Sequence, residues 1–186
     1  MIAQALECVA EDINSCLQRQ QRDSLERVIL SNLVDQEGNP PQETENKIVL
    51  VLTALDEEKN VYDSAAANRG TPTVPRGTDP IYLNLHVMFA ATHKHYFTGL
   101  ENLSAVIAYI RSKPLFDARN TPLMPAGIRQ FYFNMEKLGY PEMSNLWTYL
   151  GANYLPAVNY TIRMVGVGQR QVQSLVPAIE SVGLAP

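Results

Sequence analysis

The sequence predicts an α+β domain: a mixed or antiparallel sheet with flanking helices. Three observations lead there. The first twenty residues carry an amphipathic helical period, Ile81 to Phe89 alternate with a period of two, and the element order lacks the strict strand-helix alternation of a doubly wound sheet. That order reads helix, three strands, helix, strand, helix, strand. Ile2, Leu6, Val9, Ile13, Cys16 and Leu17 recur at spacings of three and four, with Gln4, Glu7, Glu11, Asn14 and Gln18 opposite them, so the chain opens with a helix of about five turns. A short strand is expected near Arg27 to Val34. Asp35 to Asn46, with its Gly, Pro and Asn content, then reads as the turn between strands and the tip of a hairpin.

Lys47 to Leu55 (KIVLVLTAL) is apolar at both alternating positions, the pattern of a central strand covered on both faces. Asp56 to Asn60 either prolongs that strand or ends it with charge. Val61 to Asp79 contains Gly70, Pro72, Pro75 and Gly77 without a hydrophobic period, and so long an irregular connection is usually functional or disordered. Ile81, Leu83, Leu85, Val87 and Phe89 alternate with Tyr82, Asn84, His86 and Met88 and define a third strand. Leu100, Leu103, Ile107 and Ile110 mark a second helix, with Thr98 and Gly99 as its caps and Pro114 beyond its end. Ile128 to Glu136 is expected as a fourth strand. Pro141 suits the first turn of a short helix running to Leu150, with Gly151 as its stop, and Ala157 to Val167 as a last long strand. The tail from Gly168 to Pro186 adds either a strand or an interface arm.

A chain of 186 residues is long enough to bury roughly 70% of its unfolded surface without disulfide or metal staples. Charged residues make up 18%, below the roughly 25% usual for soluble domains, which points to surfaces covered by partners. The formal net charge of -4 removes the basic footprint of a dedicated nucleic-acid binder. Cys8 and Cys16 lie roughly 12 Å apart along one helix, too far for a disulfide, and read as small core residues in a reducing compartment. No apolar run approaches the roughly 20 residues that span a bilayer, and Glu7, Glu11 and Asp12 stand where a signal peptide would be basic and then apolar. Neither export by that route nor membrane insertion is expected.

No constellation of catalytic residues assembles. His93 and His95 flank Lys94 and would share a face if extended, yet without a third ligand they read as a strand-to-helix turn rather than a metal site. His86 reads as a hydrogen-bonded, half-buried strand residue rather than a base. Glu57 and Glu58 point to opposite faces of a strand and cannot flank one substrate atom. Gly166 and Gly168 lack the third glycine and the helix of a dinucleotide fingerprint. Neither an enzyme activity nor a cofactor is expected. Tyr132, Phe133, Tyr140, Trp147, Tyr149, Tyr154 and Tyr160 crowd the last third of the chain, as core packing or as interface residues.

Three stretches resemble the Pvc16-type domain: LTALDEEKNVYDS (Leu52 to Ser64), PIYLNLHVMFAATHKHYFTGLENLSAVIAYI (Pro80 to Ile110) and LWTYLGANYLPAVNYTIRMV (Leu146 to Val165). The pattern is carried in order by Glu57, Glu58, Lys59 and Asn60; by Leu83, Asn84 and Leu85; by Tyr96; by Leu103, Ser104, Val106 and Ile107; by Asn120, Thr121 and Pro122; and by Trp147, Leu150, Gly151, Tyr160 and Arg163. Tyr109, Ile110 and Arg111 depart from the more usual Phe-Phe-Gln at the helix exit.

The resemblance implies a tail-terminator or cap protein of a contractile injection system. In such a particle six copies would form a homohexameric ring at the baseplate-distal end, touching inner-tube and sheath proteins and stopping their growth. It implies no catalysis and no cofactor. It also implies assembly in the cytoplasm, within a particle that is released from the cell or kept inside it. A soluble assembly adaptor or chaperone-like binding protein of the same kind of particle is the alternative.

A single terminator domain over residues 1–186 is expected, with interface arms at 35–46, 61–79 and 168–186. Local chemistry nominates Tyr62, Arg69, Arg76, Arg163 and Arg170 as protein-contacting residues; Arg163 also suits an ion-pair role on the last strand, and 61–79 a plain solvated loop. Trp147 and Tyr160 read as core.

Overall fold

A computed structural model describes residues 2–57, 73–75, 81–167 and 175–177. Helix α1 (Ile2–Gln21) is followed by strand β1 (Val28–Leu30) and, after a single 3-10 turn at Gln42–Thr44, by strand β2 (Ile48–Glu57). Then come β3 (Thr73–Pro75), β4 (Ile81–Ala91), helix α2 (Tyr96–Ser112), β5 (Leu115–Asp117), β6 (Gln130–Glu136), helix α3 (Tyr140–Leu150), β7 (Ala157–Val167) and β8 (Leu175–Pro177). Six strands form one sheet in the order β1-β2-β4-β7-β6-β5, and β3 pairs separately with β8. The class is the mixed α+β arrangement expected.

The first two strands are parallel, with Val28 opposite Ile48 and Leu30 opposite Leu50, so Asp35 to Asn46 is not a hairpin tip. An antiparallel pair can turn in a few residues, whereas a parallel pair needs a connection of a dozen or more, which the span from Ser31 to Lys47 supplies. Asn14 fixes the arrangement from inside α1. Its buried carboxamide accepts from the N–H groups of Arg27 and Val28 (2.9 Å each) and donates to the Val28 carbonyl at 2.7 Å. Arg27 is tied down by Asp23 and Gln21, and its guanidinium holds the Asp23 carboxyl down at about 2.

Helices α1 and α2 cover one face of the sheet. Leu6, Val9, Ile13 and Leu17 of α1 and Leu103, Val106 and Ile110 of α2 pack on Ile48, Leu50, Leu85, Val87, Phe89, Tyr160 and Ile162. Four aromatic rings extend this core toward β5: Phe116 stacks on Phe131 at 5.1 Å, and Phe133 meets Tyr160 edge-on at 5.9 Å. Such offset-stacked and edge-on contacts add to area burial because they suit the charge distribution of the rings. Helix α3 covers part of the other face, setting Trp147 against Val49, Val51, Met88, Ala90 and Leu33. Trp147 and Tyr160 are therefore core residues, as read from the sequence.

Strand β2 is covered on both faces only as far as Val51. Leu52 and Leu55 are 36% and 47% exposed, so the apolar covering fades toward that end of the strand. A register shift between Leu52 and Ala54 falls at the same place, where the Thr53 hydroxyl donates to the His86 carbonyl at 3.1 Å. Strand β2 then runs on to Glu57, so the acidic stretch prolongs it.

Helix α2 begins one turn before the expected caps. His95 is the N-cap, its ring accepting from the Thr98 N–H, while Gly99 lies inside the first turn. A Cβ on Gly99 would stand 3.2 Å from the Cβ of His93, so close packing against β4's exit, not capping, explains the glycine. In α3 the Gly139 N–H is held by the Glu142 carboxylate at 2.8 Å, Pro141 occupies the first turn, and Gly151 closes the helix at φ 66. Strand β5 has no counterpart in the sequence reading; its three residues are too few to show a period.

Candidate functional site

Beside α3, residues from four neighbouring strands meet on the second sheet face. The His86 ring (β4) places Nε2 at 2.8 Å from Asp56 of β2 and Nδ1 at 2.8 Å from Glu136 of β6, while the Thr161 hydroxyl (β7) donates to Glu136. Burial disfavours the charged ring, but the Asp56 and Glu136 carboxylates outweigh it and hold the His86 pKa above its ordinary value. With both nitrogens bound to carboxylates, the ring clamps β2, β4 and β6 together and presents no open nitrogen to a substrate. The half-buried, hydrogen-bonded role expected of His86 is what the geometry shows. Its acidic partners lie 30 and 50 residues away in the chain, beyond the reach of any local motif.

Arg163 lies on the same face, further from α3, in register with Asn84 on one side and Tyr132 on the other. Its side chain is exposed. The other nominated residues, Tyr62, Arg69, Arg76 and Arg170, lie outside the described residues, as do Glu58, Lys59 and Asn60. Of the two long candidate arms, 61–79 contributes β3 and 168–186 contributes β8. These pair with each other, Val74 opposite Val176. Five residues separate Pro75 from Ile81 and seven separate Val167 from Leu175, and Ile81 is itself opposite Val167. The two segments thus leave the paired end of β4 and β7, the middle of the sheet, and pair again beyond it.

At the opposite end of the sheet a cleft of about 710 Å³ lies between the end of α1 and the start of α2, with Arg27, Glu45, Lys47, His93, His95 and Glu101 in its wall. Here the two histidines have separate duties. His93 meets the Asn102 side chain through Nε2 at 2.8 Å, and its burial lowers its pKa, whereas His95 caps α2. They do not converge on one point, and among the described residues no group of three or more His, Cys, Asp or Glu is arranged to hold a metal ion. Cys8 is buried and Cys16 half-buried; both are free, and burial followed by the Asp12 and Glu11 charges pushes the Cys8 thiol up to about 11. At Cys8 that shift is the opposite of the lowering that activates a nucleophile.

The sheet also ends in two incomplete edges. On one side β1 covers β2 only from Ile48 to Leu50; on the other β5 covers β6 only from Gln130 to Tyr132. Among the described residues no strand pairs with the rest of either outer edge.

The chain is thus a mixed α+β sheet whose two outer edges are only partly paired among the described residues. The solved structure of the anti-feeding prophage cap, a tube-terminating cap, has this fold: the TM-score is 0.57 at 12% identity, over 100% of this chain and 60% of that one. The sheath/tube terminator of an extracellular contractile injection system, PVC, in its extended state also matches, with a TM-score of 0.44 and 15% identity over 94% of this chain and 61% of that one. The chain thus spans about 60% of the length of the solved structures it matches. No curated protein matches. The family model for the Pvc16 N-terminal domain matches residues 8–181, and the chain belongs to that family. Among the described residues no helix is long and apolar enough to cross a membrane.

Proposed function

We propose that this protein is a structural cap, or tail terminator, of a contractile injection particle. Copies close into a ring, six in number, on the baseplate-distal end of the inner tube and sheath and end their polymerisation. Membership of the Pvc16 N-terminal domain family over residues 8–181 carries this reading, and the likeness of fold to a tube-terminating cap supports it. The chain acts by surface contact, without a cofactor or a catalysed step. It assembles in the cytoplasm with self, tube and sheath proteins as partners, in a particle that leaves the cell or stays within it.

A length stop needs a molecule that satisfies the exposed end of a polymer and offers the next layer nothing equivalent. The segments 61–79 and 168–186, which pair through β3 and β8, are the contact arms in this proposal, with Tyr62, Arg69, Arg76 and Arg170 on them. Arg163 lies four residues before the end of β7, which leads into the second of them. The test is particle length. Removing the gene from a particle-producing strain should yield tubes and sheaths of scattered length in electron micrographs, restored by the wild-type chain. Replacing 61–79 by a short Gly/Ser linker should leave the circular dichroism spectrum intact and fail to restore length. Uniform particles without the chain would end the cap reading; uniform particles with the linker variant would end the role of that arm.

A further inference from the structure

The charges of the main sheet are segregated by edge. Residues 28–57, which form β1, β2 and their connection, hold six carboxylates (Asp35, Glu37, Glu43, Glu45, Asp56 and Glu57) and one cation, Lys47. Residues 111–139, which form β5, β6 and their flanks, hold five cations (Arg111, Lys113, Arg119, Arg129 and Lys137) and two carboxylates. Those two are already engaged, as on the acidic side are Asp56 with His86 and Glu45 with Lys94, and on the basic side Lys113 with Asp12. Asp117 accepts from the backbone N–H groups of Arg119 and Asn120, and Glu136 is held by His86. Arg119, Arg129 and Lys137 are exposed and have no carboxylate partner among the described residues. On the acidic side a hollow of about 280 Å³ opens along the outer edge of β1, walled by Glu7, Glu11, Glu26 and Glu43 with Lys47 the sole cation.

Each edge pairs this charge with unmet strand and apolar surface. Past Leu50 the outer side of β2 has no strand partner among the described residues, and Leu52 and Leu55 stand exposed beside it. Past Phe133, whose N–H reaches the Pro114 carbonyl, the same holds for β6, beside Met135 at 58% exposure. Two surfaces with open strand edges and opposite charge, at the two ends of one sheet, select a head-to-tail contact between copies. A two-fold contact of either edge with itself would set like charges against each other, Glu57 and Glu43 on one side or Arg119 and Arg129 on the other, which disfavours it. A heterologous contact between two different patches is the kind that closes into a ring.

We infer that a second copy of this chain occupies each sheet edge, the acidic β1–β2 edge of one protomer docking on the basic β5–β6 edge of the next. The inference rests on the ring reading and specifies which surfaces make the ring.

Charge reversal on full-length protein tests it. Glu43→Lys with Glu57→Lys sets lysines on the acidic edge against Arg119 and Arg129 of the next copy; Arg119→Glu with Arg129→Glu sets glutamates on the basic edge against Glu43 and Glu57; all four substituted residues are exposed. Light scattering after size-exclusion chromatography, with circular dichroism to confirm folding, should show each double variant reduced to monomer under conditions where the wild type assembles. An equimolar mixture of the two should recover assembly by alternating around a ring of even number, and high salt should weaken both the wild-type and the mixed assemblies. Rings from either double variant alone, or no recovery on mixing, would overturn the edge assignment while leaving the ring reading intact. A wild type that stays monomeric with tube and sheath proteins present would overturn both.

Discussion

The two faces of the central sheet are built on different terms. One is sealed by α1 and α2 over an apolar layer in which Phe89, Phe116 and Phe131 are fully buried; the other, among the described residues, is covered by the short helix α3 at one end and then gives way to the Asp56–His86–Glu136 clamp. A face closed by helices can be uniformly apolar. A face less covered by helices holds its strands by hydrogen bonds that tolerate water. Among the described residues the first face holds the larger apolar cluster.

The largest effect should come from the sealed face. Phe131→Ala removes a ring that stacks on Phe116 and should cost about 3–5 kcal/mol, seen as a lowered midpoint in denaturant unfolding. Trp147→Ala, on the other face, empties the main contact of α3 and should cost about 3 kcal/mol. If the faces differ as argued, amide exchange will rise in α3 and around Leu33 before it rises in α1. Equal acceleration in both would break the comparison.

Gly151→Ala forces a side chain into the left-handed backbone that ends α3 and should cost about 1 kcal/mol, loosening the same helix without touching the sealed face. Histidine titration should be smallest. The folded pKa of His86 is raised, so its contribution is complete below about pH 6.5 and fades as pH rises through the folded value. That of His93 is lowered, so its contribution is present above about pH 6.5 and fades as pH falls. The two slopes oppose each other. His86→Gln should therefore lose stability relative to wild type mainly at pH 6, and His93→Gln should gain relative stability there. Parallel shifts in both variants would contradict the assignment.

Much of the fold is legible in the sequence because the elements are long and periodic. The α1 stripe, the alternation in β4, the Pro141 start and the Gly151 stop all correspond to observed elements. What the sequence withholds is pairing. The connection from Ser31 to Lys47 has the composition of a hairpin turn and serves a parallel pair, because the Asn14 clamp on β1 acts from another element. The covering of β2 reads as complete from its composition and stops at Val51, because where a helix ends over a sheet is a tertiary fact. The candidate site suffers most. His86 needs partners from β2 and β6, and the charged edges become surfaces only once topology sets β1 and β5 at opposite ends of the sheet.

The pairing of β4 with β7 also has a consequence for the order in which the molecule is made. Leu85 lies opposite Ile162, and Ala90 opposite Ala157, so the middle of the sheet joins segments far apart in translation. At about 5–20 residues per second, β7 leaves the ribosome roughly 3–13 s after β4 is complete. For that interval the β2–β4 hairpin, with its apolar Val87–Met88–Phe89 stretch, shows nascent neighbours an open flank. Polysomes bring several such chains together, and an open flank on each invites pairing between them before β7 arrives.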